Sequence, residues 1–210
     1  VDKSSGGADV GAGVGGSTRG LSLSGGGSVT VFPNSRFPFH ASLDSTDSRA
    51  TGTFAPSEYR STRASVRQSW RDPLGAENII GSADFSRLDS RSFGRDTVFA
   101  LDARYLRTAE SWRGDGAFNW SRNRRAEGEG TDILRLYGTH LYTPDPDLWI
   151  NSLASYTESD LSIPAGGVDL TQRILQANSQ AVWRPAADDR FAFTGGGRVL
   201  ANGFEQGGVR

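Results

Sequence analysis

Apolar and polar residues alternate along most of the chain. From Thr171 onward, Leu175, Ala177, Ser179, Ala181 and Trp183 fall on one side of an extended backbone, and Gln172, Ile174, Gln176, Asn178 and Gln180 fall on the other. After Arg190, Phe191, Phe193, Val199 and Ala201 oppose Thr194 and Arg198. The same rhythm sets Phe99, Leu101, Ala103 and Tyr105 against Asp102 and Arg104. It also sets Leu134, Leu136, Gly138 and Tyr142 against Arg135, Tyr137 and Thr139, and Thr62, Ala64, Val66 and Trp70 against Arg63, Ser65, Arg67 and Ser69. Successive side chains of a strand point to opposite faces, so each segment predicts a strand with one apolar and one wet face, as in antiparallel sheets. No segment repeats apolar residues at i, i+3, i+4 and i+7 for more than about a turn, and Gly, Ser and Thr interrupt nearly every window, which argues against helices.

The breaks between these segments are of two kinds. Five are edged by aromatics: Phe32 to Phe37, Trp70 to Asn78, Trp112 to Phe118, Tyr142 to Trp149 and Trp183 to Phe191. Their leading aromatics are 38, 42, 30 and 41 residues apart, roughly two strands of ~10 residues with their two connections. Between them lie polar segments at 45–58, 89–95, 124–131 and 158–168, expected to form the longer loops. An up-and-down sheet puts alternate connections at opposite ends, so the aromatic-edged turns should share one end and the polar loops the other. The expected fold is all-β: an antiparallel up-and-down transmembrane β-barrel, or a partial one, with about 10–12 strands over 19–202. Residues 1–18 read as a Gly/Ser-rich flexible lead, with a glycine-rich strand around Val10 to Val14 as the alternative. Residues 203–210 read as a loop-like, truncated end.

Composition narrows the chemistry. The 210 residues include no Cys, which removes disulfides, Cys-ligated zinc, iron–sulfur sites and thiol catalysis. His40 and His140 alone argue against a histidine-built metal centre, so neither metal nor cofactor is expected. A net charge of −1 argues against a nucleic-acid partner. A hydrophobic content of 36% is low for a conventional core, yet 5 Trp, 5 Tyr and 11 Phe spread along the chain argue against disorder. Lipid against one face of a sheet reconciles the two. No run approaches ~18 apolar residues, so a helical span is excluded, whereas a closed barrel satisfies its backbone hydrogen bonds without one.

With this strand, turn, strand, loop layout from about Arg19 to Asn202, the chain resembles Gram-negative bacterial outer-membrane β-barrel proteins. The resemblance implies residence in the outer membrane, with short turns on the periplasmic side, longer loops outside and the lipid bilayer as a partner. It implies a non-enzymatic conduit or holder: a porin-like channel, or a membrane sleeve for a transport, export or electron-transfer assembly with a plug or periplasmic protein in its lumen. A secreted β-rich structural or adhesin protein is the alternative, and an outer-membrane hydrolase a second one. Such barrels usually end on a strand with a terminal aromatic residue. This chain closes Gly-Phe-Glu-Gln-Gly-Gly-Val-Arg and starts at Val1, so part of a larger barrel is expected.

Two residue sets follow from the alternation. Arg63, Arg67, Asp84, Asp102, Arg104, Arg135, Gln172, Gln176, Gln180 and Arg198 should line the lumen, pairing across strands or selecting permeants. Phe32, Phe37, Trp70, Trp112, Tyr142, Trp149, Trp183 and Phe191 should form an aromatic girdle at one interface. Other motifs have ordinary readings. Gly11-x-Gly13-x-x-Gly16 lacks the buried strand and helix of a dinucleotide site. Arg113-Gly114-Asp115 reads as a tight turn, and Asn119-Trp120-Ser121 as part of a strand rather than a glycosylation site. Asp145 and Asp147, among prolines, read as a rigid polar turn, and Glu127 and Glu129 as loop residues. Neither histidine has a nucleophile and supporting acid at recognisable spacing, so no catalytic residue is assigned.

Overall fold

The computed structural model describes residues 2–4, 19–51, 57–92, 94–164, 167–185 and 191–208. They form a single antiparallel sheet of eleven strands in sequence order. The strands are β1 (Asp2–Ser4), β2 (Arg19–Val31), β3 (Phe39–Thr51), β4 (Ser57–Arg71), β5 (Glu77–Ser90), β6 (Gly94–Ala109), β7 (Trp112–Arg125), β8 (Gly130–Asp145), β9 (Leu148–Ile163), β10 (Val168–Trp183) and β11 (Phe193–Gly208). Every strand pairs with its sequence neighbours, as the up-and-down reading requires. Among the described residues the sheet is open, with β1 and β11 at its edges. The ladder is regular apart from one register shift between Tyr142 and Asp145.

No core lies between layers. Among the described residues Val182 is the one buried hydrophobic side chain, while Leu43, Val66, Leu136, Leu175, Val199 and Phe193 are all exposed. A soluble single-layer sheet with so much bare apolar surface is unusual.

The aromatic-edged turns occupy one end of the sheet, the turn end. Glu110 and Ser111 join β6 to β7, and Pro146 and Asp147 join β8 to β9. In the latter, Asp145 Oδ1 accepts from the backbone N–H groups of Asp147 (3.0 Å) and Leu148 (2.9 Å), so the side chain holds a turn of two residues; Thr143 to Asp145, expected in that turn, are the end of β8. At the turn after β4, Gly75 takes φ 73°, a left-handed conformation that suits glycine. Phe32, with φ 51°, takes the same region despite its side chain, and its carbonyl accepts from Ser35 N–H at 3.0 Å.

Several expectations change. The polar segments are mostly strand: β3 runs through Thr51 and β9 through Ile163, leaving 52–56, 91–93, 126–129 and 164–167 between strands at the polar end. Opposite charges in register let polar stretches pair as strands, so polarity did not signal a loop. Connection length therefore does not distinguish the two ends. Residues 203–208 are not a loop but the end of β11, paired with 168–173 on β10. Asp2–Ser4 pair with Ser22–Ser24 of β2 as a short edge strand within the segment read as a flexible lead. The glycine motif at 11–16 and the alternative strand at 10–14 lie outside the described residues. Arg113, Gly114 and Asp115 lie in β7 rather than in a turn, because the reversal is completed at Glu110 and Ser111.

Candidate functional site: an uncharged band and a charged face

Residues paired directly across antiparallel strands point to the same side, so the register sorts every side chain onto one of two faces. One row runs Val66, Ala83, Leu101, Trp120 and Leu134 across β4 to β8. Its face carries an apolar band: Thr62 to Trp70 on β4, Thr97 to Tyr105 on β6, Leu134 to Tyr142 on β8 and Leu175 to Trp183 on β10, taking every second residue. Within the band no strand from β2 to β11 places an Asp, Glu, Lys or Arg on this face. The opposite face, at the same levels, carries Asp44, Arg63, Arg67, Asp84, Asp102, Arg104, Arg113, Asp115, Arg135 and Arg198. A typical nine-residue stretch spans about 27 Å along its strand.

Charge resumes on the apolar face just beyond the band. At the polar end stand Asp47 with Arg60 (3.1 Å), Asp89 with Arg87 (2.7 Å) and Arg95 (2.8 Å), Asp132 with Arg122 (2.9 Å) and Arg124 (2.9 Å), and Arg173 with Glu158 (3.4 Å) and Glu205 (3.2 Å). The Arg87 and Arg95 guanidiniums hold the Asp89 carboxyl below its ordinary range, and Arg49 and Arg60 do the same for Asp47. At the turn end, Glu77 pairs with Arg107 at 3.1 Å.

Both boundaries of the band slope across the strands, and they slope alike. The row containing Arg173 meets β4 at Val66, six residues from Arg60. The row containing Trp70 meets β10 at Ala177, six residues from Trp183. Six residues at ~3.3 Å each, over six strand spacings of ~4.8 Å, incline the band by about 35° from the perpendicular to the strands. The charged rim and the aromatic rim give the same angle independently.

The lumen set expected from sequence lies together: all ten residues fall on the charged face. Arg104 clamps Asp115 through Nε (3.2 Å) and Nη2 (2.7 Å), and Asn119 Nδ2 donates to Asp102 at 2.5 Å. Among the described residues, no carboxylate lies within ion-pair distance of Arg63, Arg67, Arg135 or Arg198. A polar row runs straight across β2 to β9: Thr30, His40, Arg67, Ser82, Asp102, Asn119, Arg135 and Thr157. His40 Nδ1 is 2.9 Å from Thr30 Oγ1. On β9 to β11 the charged face is neutral apart from Arg198 within the band, and Leu153, Ile174 and Leu200 interrupt its polar residues.

Of the girdle set, Trp70, Trp112, Tyr142 and Trp183 lie on the apolar face at the turn end. Phe32, Phe37 and Phe191 sit in the connections beside it. Trp149 departs from the set: its neighbours Leu148 and Ile150 occupy the apolar face, so alternation puts Trp149 on the other, opposite Val182. His140 joins the girdle instead, 5.6 Å from the Trp112 ring and stacked on Tyr142 at 6.2 Å. A second aromatic rim at the polar end went unread in the sequence: Phe85, Phe99, Trp120 and Tyr156. Phe99 meets Trp120 edge-on at 5.7 Å, and the Arg122 guanidinium lies 5.2 Å from the Trp120 ring. Its signal was present, as an aromatic two residues from a charge in Phe85-x-Arg87, Trp120-x-Arg122 and Tyr156-x-Glu158.

No known protein-family model matches the chain, and no curated protein matches it in sequence.

Proposed function

We propose that this sheet is the wall of a transmembrane β-barrel, with its uncharged face against lipid and its charged face against a water-filled or plugged lumen. The observation that carries the reading is the inclined band. Transmembrane barrels tilt their strands by ~35–45° to the membrane normal and present an apolar belt ~25 Å tall between two aromatic girdles. The ~35° slope reduces a 27 Å stretch to about 22 Å of membrane depth, before the girdle side chains add their own reach. A bilayer also accounts for the bare apolar surface, since hydrocarbon takes the place of a second layer. The outer membrane of a Gram-negative bacterium is the membrane this reading assigns.

The proposed role is non-enzymatic: a porin-like channel, or a sleeve for a transport, export or electron-transfer assembly. The arginines without carboxylate partners on the charged face supply positive charge that a permeant or plug would meet. A secreted structural or adhesin solenoid would bury Leu101, Leu136, Leu175 and Phe193 in a dry interior, whereas here they share one uncovered face. Single-channel recording in a planar bilayer tests the role. A channel gives unitary current steps; a plugged sleeve gives membrane insertion without steps; failure to insert contradicts both.

A further inference from the structure

The charged rim at the polar end is not uniform. Among the described residues it is mostly acidic on β8 to β11, with Asp132, Glu158, Asp160 and Glu205 around Arg173. On β3 to β7 it opens into a cleft of about 930 Å³ lined by six arginines, Arg49, Arg60, Arg91, Arg95, Arg124 and Arg125, against three acids, Asp47, Glu58 and Asp89. Six positive charges less three negative leave an excess of three. Adding the residues that pair with the lining, Arg87 against Asp132 and Glu129, lowers the excess to two. The cleft adjoins the apolar band: Thr97, the last band position on β6, also lines it.

Each lining arginine already has a carboxylate within ion-pair distance, Arg49 and Arg60 sharing Asp47, but the guanidiniums outnumber the acids around the cleft. A concave surface with that positive excess on one side and a charge-free apolar surface on the other matches an anionic amphiphile. Guanidiniums bind phosphate oxygens through paired N–H groups, while the band accepts acyl chains. We propose that this cleft binds the phosphate-bearing headgroup of an anionic lipid, whose chains lie along the band beneath it. The inference rests on the membrane reading above. The acidic rim on β8 to β11 repels the same headgroup, so binding is confined to one side of the sheet.

The test uses the full chain in phosphatidylcholine vesicles and compares spin-labelled phosphatidylglycerol with spin-labelled phosphatidylcholine. The protein should hold more of the anionic lipid in its motionally restricted shell. Arg95→Gln with Arg124→Gln should lower that preference by about twofold or more per charge removed at low salt. Glu58→Gln should raise it, which keeps the test informative if the double variant fails to insert. Arg173→Gln, in the acidic sector, should not lower it by a comparable factor. Equal association of the two lipids, or a preference indifferent to the cleft variants, overturns the site while leaving the membrane reading intact. Inorganic phosphate binding to the cleft in detergent without any lipid preference overturns the lipid assignment. Absence of a restricted component with either lipid overturns the membrane reading itself.

Discussion

Asp132 and Asp160 face each other in register across β8 and β9, two carboxylates on the same side of the sheet. The arrangement is tolerated because each has its own partner: Arg122 and Arg124 hold Asp132, and Thr171 Oγ1 donates to Asp160 at 2.6 Å. Like charges directly opposite on a sheet are unfavourable, by an amount comparable with other cross-strand pairs. Asp160→Asn removes the repulsion and keeps an oxygen for Thr171. It should stabilise the protein by about 0.2–1 kcal/mol, read as a higher urea midpoint in detergent, with the gain shrinking as salt is added. A lower midpoint would mean that the second carboxylate has an attractive partner.

Adjacent positions on β9 separate the two faces. Ala154 lies within the uncharged band and Ser155 on the charged face, paired with Tyr137 and Gln176. Arginine near the bilayer midplane on a lipid-facing position costs about 2–4 kcal/mol. Ala154→Arg should therefore lose that much stability in vesicles, and Ser155→Arg much less. Equal losses would remove the distinction between the faces.

Charge on the polar row should govern ion selectivity. Arg67 and Arg135 lie in one straight row across the charged face, and no described carboxylate pairs with either. If the protein conducts, Arg67→Glu and Arg135→Glu should each move the reversal potential under a salt gradient toward cation preference. The same charge reversal at Arg173, beyond the band on the other face, should leave it nearly unchanged.

The rim should also survive mild acid. Asp47 and Asp89 lie beyond the band, and their arginine partners lower both carboxyl pKa values. A lowered folded-state pKa gives stability that is present above the unfolded value of ~3.9 and is lost as pH falls through the folded one. Unfolding midpoints should be flat from neutral pH to about pH 5 and decline below about pH 4. Asp89→Asn should weaken that decline.

The alternation of Leu101, Leu136, Leu175 and their neighbours was legible because a single strand determines its own parity. The ends of strands were not. Residues such as Asp47, Glu158 and Asp160 read as loop, yet their partners on adjacent strands extend the ladder. Gly203 to Gly208 read as a loop-like end, although β10 supplies a complete set of backbone partners. Trp149 was grouped with the girdle by proximity to a turn, when one residue of offset decides its face. The slope of the band could not be seen in any one segment, because it exists only once ten strands are in register.

The central claim is that alternate residues meet lipid and water. With no native Cys, single cysteines placed from Ile174 to Ala181 on β10 can each carry a spin label in vesicles. Collision rates with oxygen, which concentrates in hydrocarbon, should peak at 175, 177, 179 and 181. Collision rates with a water-soluble nickel chelate should peak at 174, 176, 178 and 180 if the lumen is open, and stay low there if it is plugged. Oxygen accessibility that lacks this two-residue period, or that peaks at the even positions, would contradict the account.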